Sequence, residues 1–84
     1  MFSLFDYQDR LATWLRETED DGARIAMVDF VAELCEDPER DRYFVEWSAD
    51  GLYARLIAVP GAGTLVYMLD HVKRQVVVLR VSDV

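Results

Sequence analysis

Three apolar, β-branched runs crowd the last third of the chain, Leu52 to Val81, which reads LYARLIAVPGAGTLVYMLDHVKRQVVVLRV. A Pro-Gly-Ala-Gly segment at 60–63 and a charged Asp-His-Val-Lys-Arg segment at 70–74 separate them. Proline and glycine end a strand because one lacks the ladder N–H and the other supplies turn dihedrals. The pattern therefore predicts antiparallel strands over 52–59, 64–69 and 75–81. Upstream, Tyr43-Phe-Val-Glu-Trp-Ser48 alternates as a further strand, and Asp50-Gly51 is a tight-hairpin signal. The run at 75–81 is nearly continuous in apolar character, which predicts a strand central in the sheet or covered on both faces. In 64–69, Leu65, Tyr67 and Leu69 share one face while Val66 and Met68 share the other. That doubling fits helices on one side and aromatic or partner contacts on the other.

The first half reads as helix. Tyr7, Leu11, Trp14, Leu15 and Thr18 fall on one stripe of a 3.6-residue period, with Asp6 as N-cap. The acidic run at 19–22 breaks that helix. A second follows, capped by Asp20 or Asp21, with Ala23, Ala26, Met27, Phe30, Val31 and Leu34 as its apolar stripe. It should stop before Pro38, since the residue preceding a proline avoids the helical region. Residues 1–84 thus predict one α+β domain: an N-terminal helical hairpin packed on a four-stranded, mainly antiparallel sheet.

Charge separates the two halves. Residues 1–42 hold 12 Asp and Glu against 5 Arg, whereas residues 43–84 hold 4 acids against 4 Lys and Arg. The whole net charge of −7 therefore lies in the first half. Solubility is one reading of it, and an anionic face for a basic protein partner, through Glu17, Glu19, Asp20 and Asp21, is another. Direct nucleic-acid binding is disfavoured, because that affinity comes from neutralising phosphates with Lys and Arg. The N-terminal MFSLFDYQDR has no basic segment followed by an apolar run, and no run approaches the ~20 apolar residues of a membrane span. The expected compartment is the cytoplasm. Cys35, alone in the chain, reads as a small buried hydrophobe in the second helix.

The block Arg55-Leu-Ile-Ala-Val-Pro-Gly-Ala-Gly-Thr-Leu-Val-Tyr67, followed by Val76-Val-Val-Leu-Arg-Val81, resembles the RelE/ParE toxin superfamily. The phrase Phe30-Val-Ala-Glu-Leu-Cys-Glu-Asp-Pro38 is similar to that family's second helix ending in an acid-proline step. The resemblance spans residues 7–83 and implies a helical hairpin ahead of an antiparallel sheet. It also implies where a messenger-RNA endonuclease site would lie: Arg55 holding phosphate, Tyr67 lining or assisting the site, Arg80 as a further phosphate ligand. The chain departs from the family at Thr64, where a basic residue is common, and at Val81-Ser-Asp-Val84, where active members continue with His- and Arg-rich residues. The family's usual first strand is absent or shrunk to Phe2–Phe5. The phosphate-handling groups are therefore thinned, and the resemblance implies fold more than chemistry.

No other constellation carries chemistry. His71, the only histidine, sits in a charged turn, and a lone His without further His or Cys does not make a zinc site. The acids at 36–41 lack calcium-loop spacing, and Pro60–Gly63 lacks the Lys and helix of a phosphate loop. Neither cofactor nor metal is expected. Trp47, with Tyr43 and Val45 on one face of an outer strand, reads either as core or as a partner-binding ridge. Three functions follow in order: a RelE/ParE-like protein acting by protein–protein contact in a toxin–antitoxin-type system, catalysis reduced or lost; an acidic inhibitor of a basic target; and an active ribosome-dependent endonuclease. Monomer and homodimer both stay open, the latter through the Tyr43–Trp47 edge.

Overall fold

The structure is a computed structural model that describes residues 1–40, 42–49 and 52–83; the side chains of Trp47, Ala49 and Leu52 lie outside that description. A short strand opens the chain, β1 (Ser3–Asp6). A 3-10 turn at Tyr7–Asp9 leads into helix α1 (Arg10–Glu17), and α2 (Asp21–Glu36) follows. Four strands complete it: β2 (Val45–Ala49), β3 (Leu52–Val59), β4 (Gly63–Asp70) and β5 (Gln75–Ser82). The sheet order is β1-β5-β4-β3-β2.

Two expectations need correction. The sheet has five strands, not four, because the stretch around Phe2–Phe5 is a full member that pairs in parallel with β5, Ser3 opposite Gln75 and Phe5 opposite Val77. A four-residue run has too little periodicity to announce itself, and its partner lies some seventy residues away. The first helix also starts later than the Tyr7 stripe predicts. Gln8 and Asp9 take positive φ values of 51° and 54°, which breaks the helical path, and Tyr7 is exposed. Asp6 keeps its capping role from the end of β1. Its two carboxylate oxygens accept from the backbone N–H groups of Leu11 and Ala12 at 2.8 and 2.9 Å. Those are amides at the start of a helix with no partner of their own, and a carboxylate there also meets the positive end of the helix dipole.

Helix α2 follows its sequence signals closely. Asp20 is the N-cap, its side chain accepting from Ala23 N at 3.2 Å, and the helix ends at Glu36, two residues before Pro38. Both helices lie on one face of the sheet. Met27, Leu34, Leu65, Val76 and Val78 are fully enclosed, and Leu11, Trp14, Val31, Ile57, Val59 and Tyr67 join them. At the far end of α1 the Trp14 indole Nε1–H donates to Asp83 Oδ1 at 2.7 Å, pinning the segment after β5 to the helix. No described helix is long and apolar enough to cross a membrane.

Among the described residues, no helix or loop packs over the other face of the sheet, where Ala54 alone is buried. Register assigns Val45, Leu56, Val66, Met68, Val77 and Phe5 to it, each opposite another outward residue on the next strand. A bulge between β4 and β5 adds to this face. Val66 pairs with Arg80 and Tyr67 with Val78, so Leu79 is the extra residue. Two residues of a bulged strand then oppose one of its neighbour, and both Leu79 and Arg80 line the outward side. Val81 returns to the helix side opposite Leu65. The strand at 75–82 is therefore covered on its helix side only, and lies second from the edge.

Candidate functional site

Arg55 and Tyr67 are directly opposite each other on β3 and β4, on the helix side of the sheet. Their surroundings differ sharply. Tyr67 is only 1% exposed and belongs to the core beneath the helices. Arg55 lies toward the sheet margin, where its guanidinium stacks 4.4 Å from the centre of the Phe44 ring. Its Nη2 is 3.6 Å from Glu39 Oε2. Arg80 falls by register on the opposite face, with Leu56, Val66 and Leu79 around an apolar hollow of about 300 Å³, and beyond the β1 pairing it also borders a hollow against α1 with Gln8, Trp14 and Glu17. The three residues that the family resemblance groups do not share one solvent-facing surface.

Glu39, in the turn after α2, connects two of the sheet's cationic groups. Its Oε1 is 3.5 Å from His71 Nε2, while its other oxygen faces Arg55. The His71 contact is an ion pair only when the imidazole is protonated, and both side chains are more than half exposed. Phe2 meets the His71 ring edge-on at 5.7 Å, and the Arg74 guanidinium is 5.7 Å from the Phe2 ring. Arg42 steadies the same connection by donating from Nη1 to the Asp37 carbonyl at 2.8 Å and lying 5.7 Å from the Phe30 ring. These contacts tie the 37–44 segment and the 70–74 turn to the sheet end. A water-exposed pair of this kind stabilises by a few tenths to about 1 kcal/mol and creates no dry pocket for chemistry. Among the described residues, no three His, Cys, Asp or Glu side chains gather to hold a metal.

The acidic residues expected to meet a partner are at the α1–α2 junction. Glu17, Glu19, Asp20 and Asp21 are all exposed. Two of them have structural tasks, Asp20 as the cap of α2 and Asp21 as the ion-pair partner of Arg24. Glu17, Glu19 and Asp20 join Asp83 around an open hollow of about 410 Å³. Tyr43 is almost wholly exposed just ahead of β2. The side chain of Trp47 is outside the described residues, and Tyr43 and Val45 are the described part of that ridge. Cys35 is half-buried at the end of α2, and burial pushes its thiol pKa up, which keeps it in the unreactive protonated form.

No protein-family model matches the chain, and neither a curated protein nor a solved structure matches it. Sequence reasoning passed over the outward residues Leu56 and Leu79. The signal available for them was the doubled alternation of β4, which already requires two apolar faces in the sheet.

Proposed function

We propose that the chain is a divergent RelE/ParE-like protein that acts through protein–protein contacts in a toxin–antitoxin-type system, with catalysis reduced or lost. The observation that carries this reading is the separation of Arg55, Tyr67 and Arg80: one paired at the margin, one enclosed, one on the opposite face. Phosphoryl chemistry needs charged groups preorganised around the atoms where charge develops. An enclosed phenol cannot reach them. The strand β1, standing ahead of the helical hairpin where that family has its first strand, supports the resemblance in layout.

A second reading draws on the acidic junction, where Glu17, Glu19, Asp20 and Asp83 line one hollow. In it the chain inhibits a basic target by presenting carboxylates. The two readings differ in salt dependence, because exposed charge pairs are screened over about 8–10 Å at physiological ionic strength.

The test has two arms. Purified chain added to a ribosome-programmed translation reaction should leave the messenger intact; cleavage abolished by Arg55→Ala overturns the non-catalytic reading. The chain co-expressed with the product of the adjacent gene should co-purify with it in fixed stoichiometry. A complex that survives 0.5 M salt supports the toxin–antitoxin arrangement, and one that dissolves there while charge reversal at Glu17 and Glu19 weakens it favours the acidic inhibitor.

A further inference from the structure

The outward face of the sheet breaks the rule that an antiparallel sheet with one solvated side turns polar residues to water. Phe5, Val45, Leu56, Val66, Met68, Val77 and Leu79 share it, and Phe5, Val45 and Leu56 are 45%, 65% and 40% exposed. Contiguous apolar surface on this scale marks an interface.

We propose that this face is the interface of a homodimer in which two copies pack sheet against sheet. Charge is the first argument. Each chain carries −7, and residues 1–42 hold all of that excess. Residues 10–36, which hold both helices and their junction, carry 7 acids against 3 Arg, and the helices lie on the far side of the sheet from the apolar face. Packing two copies through the open faces buries apolar surface and sends both acidic sides outward. Any helix-to-helix association would instead oppose like charges, which costs energy at close range.

Symmetry is the second argument. On β4 and β5, Met68 opposite Val77 is the midpoint of the face; Val66 opposite Arg80 is on one side of it, and Asp70 opposite Gln75 on the other. A two-fold axis perpendicular to the strands at that midpoint lays the Arg80 end of one copy over the Asp70 and Gln75 end of the second. A self-complementary patch of this kind is what a two-fold dimer requires, since each contact occurs twice. The apolar centre then matches itself, and each Arg80 meets an Asp70 carboxylate whose Oδ1 accepts from the Val72 and Lys73 amides, so Oδ2 is the oxygen left for the pair.

Size is the third. With strands about 4.8 Å apart and a residue rise of about 3.4 Å, the face measures roughly 20 by 25 Å. Corrugated by its side chains, it supplies about 600 Å² per copy, the low end of what a specific interface buries. The dimer is accordingly expected to be a modest one, populated toward the upper end of the concentration range tested below.

Sedimentation velocity on the full chain from about 1 to 200 μM tests this, at 0.15 M salt. A monomer–dimer equilibrium is expected. Leu56→Lys, a change at an exposed site, should weaken it at least about tenfold, and Arg80→Asp should do the same by opposing Asp70 of the second copy. Circular dichroism checks that each variant keeps its fold. Wild-type chain that stays monomeric at 200 μM overturns the proposal whatever the variants do. So does a dimer indifferent to both changes but lost on Ser48→Pro, which places the contact on the β2 edge. The dimer stands apart from the proposed function: neither messenger cleavage nor co-purification bears on it, and a monomeric result leaves the partner reading intact.

Discussion

Gly63 is the position where a single methyl group should do the most damage. A Cβ built there would be 2.0 Å from the carbonyl oxygen of Ser82 and 3.1 Å from the backbone of Asp83. Real Cβ contacts stay beyond about 3 Å, so Gly63→Ala forces the end of β5 to move by roughly 1 Å or to leave the ladder, and overpacking of this kind costs about 2 kcal/mol. The damage should spread. Thr64 pairs with Ser82, and Asp83 holds the Trp14 indole at 2.7 Å, so a displaced β5 end also loosens α1 from the sheet. For a domain of this size a loss of about 2 kcal/mol lowers the melting temperature by roughly 10 °C. Thermal and urea denaturation of the wild type, Gly63→Ala, Asp83→Ala and the double variant form the decisive cycle. Asp83→Ala alone should cost about 1.5 kcal/mol through the lost charge-assisted hydrogen bond. If the methyl group already detaches Asp83, the double variant should be scarcely worse than Gly63→Ala, a coupling of about 1 kcal/mol or more. Gly63→Ala within about 0.5 kcal/mol of wild type, or strict additivity in the cycle, would refute the reasoning, because the β5 end would then be free to yield without consequence.

Met27 is completely enclosed between α2 and the sheet, so Met27→Ala should cost about 3 kcal/mol in urea denaturation, with the cavity contributing beyond the lost transfer energy. Asp6→Ala removes both acceptors from Leu11 and Ala12 N–H, and a loss of about 1–2 kcal/mol is expected, with reduced helical signal by circular dichroism. Arg55→Ala, by contrast, should change stability by less than about 1 kcal/mol, since the Glu39 pair is long and partly solvated. The raised thiol pKa of Cys35 gives a pH signature: the folded chain holds that proton more tightly than the unfolded chain. Stability should therefore be intact well below the unfolded thiol's pKa of about 8.5 and decline as pH rises through it. Iodoacetamide at pH 8 should correspondingly label the folded protein several-fold more slowly than the urea-unfolded one.

Much of the candidate site was legible only as a set of residue types. Arg55 and Tyr67 stand on the predicted strands, and their opposition follows from the hairpin through Pro60–Gly63. What the residue pattern could not show was which of them the helices enclose. A tyrosine on a sheet strand reads from sequence as a half-buried ring with its hydroxyl at the surface; Met27, Val31 and Leu34 come from another segment to share the core of Tyr67 instead. For Arg55 the acidic first half offers an ion pair with an acid of the helices. Its partner, Glu39, is in the turn just after α2, held there by contacts between residues far apart in sequence.

The sequence by itself determined the local pieces: two helices, the Asp20 cap of α2 and its stop before Pro38, the turns at 60–63 and 70–74, and the two apolar faces of β4. Those follow from backbone periods of 3.6 and 2 residues and from proline, glycine and short polar side chains acting on their own neighbourhood. Only the tertiary structure decided the parallel pairing of β1 with β5, the bulge that turns Leu79 and Arg80 outward, and the division of Arg55, Tyr67 and Arg80 between two faces. The physical reason is register. A one-residue slip exchanges the two faces of a strand, and which register wins depends on packing among segments that meet only when the whole sheet closes on its helices.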